Sequence, residues 1–172
     1  MQERKGLVTF KELPVTLQGE DLLIGQTAPE FIVLKQDFSE LRLSDLKDKV
    51  KILSVAPSLD TRVCEMQTVR FNNEATKLSD DVEIVSISVD LPYAQKRFCE
   101  TLSINNMQVV SDYRDLDFGY KYGLVMKELR LLARALIVID QKNIIRFFDI
   151  NSQVSSEPNY EAALEVVKQL TS

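Results

Sequence analysis

Histidine is absent from the chain. That removes Cys-His nucleophilic dyads, His-ligated zinc and histidine general bases from its chemistry. Cysteine occurs only at Cys64 and Cys99, too few for a four-cysteine metal site. The net charge of −5 mixes both signs with no basic block, so neither nucleic acid nor an anionic membrane is an expected partner, and a small anionic or neutral substrate stays open. No apolar run has the length of a transmembrane helix. Met1 to Gly6 is short and charged with no signal-like stretch behind it, so the expected location is cytoplasmic. In a reducing compartment a pair of cysteines serves catalysis more often than structure. Internal repeats, low-complexity tracts and linkers are missing too. The 172 residues, 45% of them hydrophobic, suit a single domain over residues 1–172.

What is present centres on Val55 to Cys64. Lys51 to Val55 (KILSV) predicts a buried strand, Pro57 and Ser58 punctuate it, and Asp60 or Thr61 is a good N-cap for the periodic segment that follows. Cys64 therefore falls in the first turn of a helix, where unpaired N–H groups and the positive end of the macrodipole favour thiolate over thiol. Cys64, Thr68, Phe71, Ala75 and Leu78 recur on one helical face. The cysteine thus points toward the core, and burial opposes its ionisation. A reactive thiolate there requires a nearby cation. Arg134, in Leu131 to Ala135 at the mouth of the apolar run Ala135 to Ile139, is a candidate. Its partners are open at this point between carboxylates such as Asp60 or Glu65, backbone carbonyls, and the Cys64 thiolate.

The remaining elements alternate. Leu7 to Phe10 and Val15 to Leu17 predict a hairpin across Lys11 to Pro14, and Leu41 to Leu43 a short strand followed by a helical turn capped by Ser44 or Asp45. Val82 to Val89 predicts a strand, and Asp90-Leu91-Pro92 opens a helix with Pro92 in its first turn. On that helix Ala94, Phe98 and Leu102 form an apolar stripe with Cys99 at its margin. Gln108 to Asp112 is a short strand, Ala135 to Ile139 a central one, Ile144 to Phe148 its partner, and Tyr160 to Leu170 a closing helix. The fold class is α/β with a mixed sheet.

Pro57, Thr61 and Cys64 stand in the Pro-x-x-x-Thr-x-x-Cys arrangement of the peroxiredoxins, and SLDTRVC, DLPYAQKRFC, SDYRDLDFG and LLARA resemble the thiol peroxidase branch, an atypical two-cysteine group. The resemblance runs from about Leu7 to Leu170. It implies a thioredoxin-like fold, a mixed central sheet flanked by helices, with an N-terminal β-hairpin. It implies that Cys64 attacks a hydroperoxide to give a sulfenic acid, with Thr61 hydrogen-bonded at the site, Pro57 shielding it and Arg134 stabilising charge. Cys99 is then implied as the resolving cysteine of an intramolecular Cys64 to Cys99 disulfide, recycled by thioredoxin in a homodimer with no metal or organic cofactor. Local unfolding around both cysteines is expected before the disulfide closes, and Arg70 is a looser candidate to face the site. Two rivals remain. A disulfide oxidoreductase usually pairs its cysteines as Cys-x-x-Cys, which Gln67 breaks. A redox sensor or binding module on the same fold would react once without turnover.

Overall fold

A strand flanked by strands on both edges and covered on both faces is mostly apolar, with any polar side chain bonded inside, and two such strands form the spine of the computed structural model, which describes residues 1–172. In chain order the elements are β1 (Glu3–Phe10), β2 (Leu13–Gln18), β3 (Ile32–Leu34), β4 (Glu40–Arg42), a 3₁₀ turn (Leu43–Leu46), β5 (Val50–Val55), α1 (Arg62–Ala75), β6 (Val82–Ser88) and α2 (Pro92–Leu102). There follow β7 (Gln108–Ser111), α3 (Asp117–Lys121), β8 (Val125–Met126), β9 (Leu131–Leu132), β10 (Ala135–Ile139), β11 (Ile145–Ile150) and α4 (Tyr160–Thr171). Every residue of β5 and β10 is buried. The main sheet has the order β11-β10-β5-β6-β7-β3-β4, with β5, β6 and β7 parallel and the outer pairings antiparallel. A second sheet runs β1-β2-β8-β9.

Period-two alternation sends the side chains of β5, β6 and β10 to two cores. Val50, Ile52, Ile84, Leu136 and Val138 meet Phe71 of α1 and Tyr160, Ala163 and Val167 of α4. Leu53, Val55, Val85, Ile87 and Ile137 meet Phe118 and Tyr122 together with Leu17, Val125 and Leu132 of the small sheet. Phe31, Phe118 and Tyr122 interlock there, with ring centroids 4.5–5.7 Å apart, and the Tyr122 hydroxyl donates to the Pro29 carbonyl at 2.8 Å. No helix is long and apolar enough to cross a membrane.

Three local readings differ from expectation. The first hairpin turns on Lys11 and Glu12 alone, both at positive φ (49° and 68°), so its strands extend to Glu3 and Gln18. Neither residue is the glycine or asparagine that marks such a turn. The 3₁₀ turn begins after Arg42, and Asp45 reaches back to accept the Arg42 N–H at 2.8 Å rather than occupying the cap position. On α2 the buried face is Pro92, Gln95 and Cys99, which puts Cys99 at its centre and Ala94, Phe98 and Leu102 at its edge. Gln95 can sit inward because its amide donates to Ser88 Oγ and to the Val110 carbonyl. A polar side chain whose amide N–H groups find acceptors in the interior breaks a pattern read from hydrophobicity alone.

Asp112, just past β7, is 3% exposed, and its two oxygens accept the N–H groups of Phe118 and Gly119 at 3.0 and 2.8 Å. Gly119 is the residue that permits this approach, since a Cβ there would lie 2.6 Å from Leu132. Burial pushes the Asp112 carboxyl up to about 7, against the pull of those two N–H bonds. A carboxyl raised in the folded state keeps its proton when the unfolded chain has lost it. It therefore favours folding most at low pH, and that contribution declines as pH rises from about 4 toward 7. Asp112→Asn is expected to flatten this part of the stability profile, measured by urea unfolding across the same pH range.

Candidate active site

The site is built where β5 hands the chain to α1. The Ala56 N–H donates to the Ile87 carbonyl at 3.1 Å, Pro57 is buried behind it, and Thr61 takes extended angles (φ −104°, ψ 151°) as the residue before the helix. Cys64 is thus the third helical residue and is fully buried. Thr61 is the N-cap by position, yet its side chain caps no N–H. Its hydroxyl donates to the Ser58 carbonyl at 3.2 Å instead. The first amides of α1 therefore have neither an intrahelical acceptor nor a side-chain one.

Arg134 enters from the other end of the sequence and is 2% exposed. Its Nε donates to the Val154 carbonyl at 2.7 Å, one Nη to Gln67 Oε1 at 2.7 Å, and the other to Cys64 Sγ at 3.2 Å. No carboxylate lies within ion-pair distance of it; Asp60 and Glu65 make no bond to it. A buried guanidinium without an anion carries a desolvation cost that a negative sulfur would offset. Of the partners left open above, the thiol and one backbone carbonyl are those found, joined by the amide of Gln67.

Gln67 is the residue that sequence reading undervalued, noted only for breaking a Cys-x-x-Cys pair. It is fully buried and its amide donates to Ser54 Oγ at 2.7 Å and to the Val55 carbonyl at 3.3 Å while its oxygen holds Arg134. This fixes the guanidinium relative to β5. Its position three residues after Cys64, hence on the same helical face, was the available signal.

Cys99 sits elsewhere, in an apolar cluster with Leu59, Ile104 and Val109, and accepts a hydrogen bond from Gln36 Nε2 at 3.3 Å. Both cysteines are free thiols. Two polar anchors connect their helices. The Asp90 carboxylate accepts Ser58 Oγ, the Leu59 N–H and Ser88 Oγ at 2.7–2.8 Å, joining the Cys64 loop to the start of α2. Asn72 of α1 accepts the N–H groups of Asn105 and Asn106 at 3.1 and 2.9 Å, holding the segment after α2. Arg70 is turned away from the thiol: it bonds Glu74 and Glu161 and lies over the Tyr160 ring at 4.9 Å. No cluster of three or more Cys, Asp or Glu side chains is arranged to hold a metal ion.

The AhpC/TSA family model matches residues 24–148. A thiol peroxidase of Oceanobacillus iheyensis is 52% identical over 91% of this chain and 95% of its own, and one from Halalkalibacterium halodurans is 47% identical over 94% and 96%. Among solved structures, a peroxiredoxin-like protein from Aquifex aeolicus superposes with a TM-score of 0.90 at 38% identity, covering 96% of this chain and 98% of that one. The fold is thioredoxin-like, with the N-terminal hairpin added. Gln67→Leu strands one guanidinium N–H and the Ser54 hydroxyl in the interior. It is expected to destabilise the fold by about 1–3 kcal/mol in chemical denaturation.

Proposed function

The chain belongs to the AhpC/TSA family, and from that premise we infer that it is a thiol-dependent peroxidase acting on hydroperoxides through Cys64. The observation that carries this is the buried Arg134 guanidinium donating to Cys64 Sγ without a carboxylate nearby. It supplies the cation that an inward-facing thiolate requires at the start of a helix. The Cys64 thiolate attacks the distal peroxide oxygen, the O–O bond breaks, and the other oxygen leaves as water or alcohol after taking a proton. Cys64 is left as a sulfenic acid. The Arg134 Nη that donates to Cys64 Sγ is the donor we assign to the charge that builds as that bond breaks. Thr61, whose hydroxyl keeps acceptor lone pairs beyond its bond to Ser58, is the residue we assign to bond the peroxide, and the buried Pro57 the one we assign to shield the site.

The Cys99 thiolate then attacks the Cys64 sulfur. The S–S bond forms, the S–O bond breaks, and the hydroxyl leaves as water. In the reduced fold each thiol is engaged separately, Cys64 by Arg134 and Cys99 by Gln36. We expect the Cys64 to Arg134 bond to release and the segments around the cysteines to open locally before the sulfurs meet, since a disulfide needs Cα atoms within about 7 Å. Two electrons from a dithiol reductant of thioredoxin type restore the pair. The homodimer expected from the family is our working assembly, supported by the sequence resemblance.

Mass mapping before and after one equivalent of hydrogen peroxide tests the assignment. The wild type is expected to give a Cys64 to Cys99 bond, and Cys99→Ser a trapped sulfenic acid on Cys64. Unreacted thiols, or equal slow oxidation of both, would overturn it. Sustained peroxide consumption with thioredoxin and its reductase separates an enzyme from a sensor that reacts once. Arg134→Met is expected to slow Cys64 oxidation by about a hundredfold or more in competition kinetics.

A further inference from the structure

We propose that Gln36 is a catalytic residue of the disulfide-closing step, its side-chain amide stabilising the Cys99 thiolate that attacks Cys64; this rests on the assignment of Cys99 as resolving cysteine. Cys99 is 8% exposed among Leu59, Ile104 and Val109, none of which offers a side-chain polar group. Gln36 Nε2, 3.3 Å from the sulfur, is its one side-chain hydrogen-bond donor. A donor at sulfur favours the ionised form, as a thiolate is much the better acceptor.

The turn between β3 and β4 is shaped to deliver that amide. Lys35 and Ser39 close it, the Lys35 N–H donating to the Ser39 carbonyl at 2.8 Å and the Phe38 N–H to the Lys35 carbonyl at 3.0 Å. Phe38 is held at φ 68°, a left-handed conformation that a bulky side chain adopts only when its surroundings enforce it. The turn also touches α2: the Phe38 ring meets Tyr93 edge-on at 5.0 Å. The aromatic pair thus docks the turn on the first turn of the helix that carries Cys99, and Gln36 reaches the thiol from there.

Burial pushes the Cys99 thiol up, the Gln36 bond pulls it back, and Glu100 on the same helix adds to the upward push. Other charged residues on the elements around it are Lys96 and Arg97 on α2, Lys35 and Asp37 on the turn, Asp60 beside Leu59, and Glu65 and Arg70 on α1. A hydrogen bond to a charged acceptor changes ionisation by about one to two powers of ten. A Brønsted coefficient of about 0.4–0.5 returns part of that as nucleophilicity, so loss of the bond slows attack near neutral pH by about three- to tenfold.

The first measurement is the titration of Cys99 as the sole thiol in Cys64→Ser, followed by thiolate absorbance. Gln36→Met, which keeps length and loses the donor, is expected to move the midpoint to higher pH, and Gln36→Lys, which restores a donor, to move it back. In the two-cysteine protein Gln36→Met is expected to close the disulfide three- to tenfold more slowly near neutral pH, with Cys64 oxidation by peroxide unchanged. An unmoved midpoint, or faster closure, overturns the proposal while leaving the peroxidase assignment intact. A wild type that forms no Cys64 to Cys99 bond removes the resolving role of Cys99 and the proposal with it.

Discussion

A guanidinium buried without a carboxylate is the constraint around which this molecule is arranged. The buried Arg134 guanidinium is met by three acceptors from two parts of the chain: the Val154 carbonyl, and the Gln67 amide and Cys64 sulfur of α1. Each acceptor is fixed by something larger. Gln67 and Cys64 share a face of α1, Gln67 is tied to β5 through Ser54, and Arg134 leads directly into β10, which pairs with β5. Strands β5 and β10 and helix α1 therefore share one electrostatic task. Two of the three acceptors are neutral, so the sulfur is the atom at which negative charge would be most welcome.

The second thiol follows the opposite logic. Cys99 occupies the middle of α2, far from a helix N-terminus, in apolar surroundings that suit the neutral form. The two cysteines are thus differentiated by position, one beside a charge and the other beside an amide. That difference is the basis of the proposed order of events, in which the sulfur bonded to the guanidinium meets peroxide first.

Much of this was legible in the sequence, for physical reasons. The apolar run into Pro57 and the cap at Thr61 fixed Cys64 in the first helical turn, and the spacing of Thr68 and Phe71 showed that it must face inward and so need a cation. The core strands stood out because burial on both faces makes their runs mostly apolar, even with Lys51 and Ser54 in β5. Features that depend on distant segments meeting were not legible. Gln36 and Cys99 are 63 positions apart, and nothing local marks either as the other's partner. Gln95 and Gln67 were hidden because hydrophobic patterning assigns amides to the surface, whereas here their N–H groups find acceptors inside. Turns at Lys11, Glu12 and Phe38 lacked glycine, the residue whose presence announces positive φ.

The anchors at Asp90 and Asn72 bracket α2. One holds its first residues to the Cys64 loop and the other holds the segment past its last turn to α1. A helix moored at both ends that unwinds in the middle does not diffuse away; its slack forms a short loop with fixed feet. The second sulfur then samples a small volume around the first, equivalent to a local concentration of about millimolar or higher. On the proposed mechanism outside thiols would have to compete with that from solution, so a Cys64 sulfenic acid would be shielded by proximity.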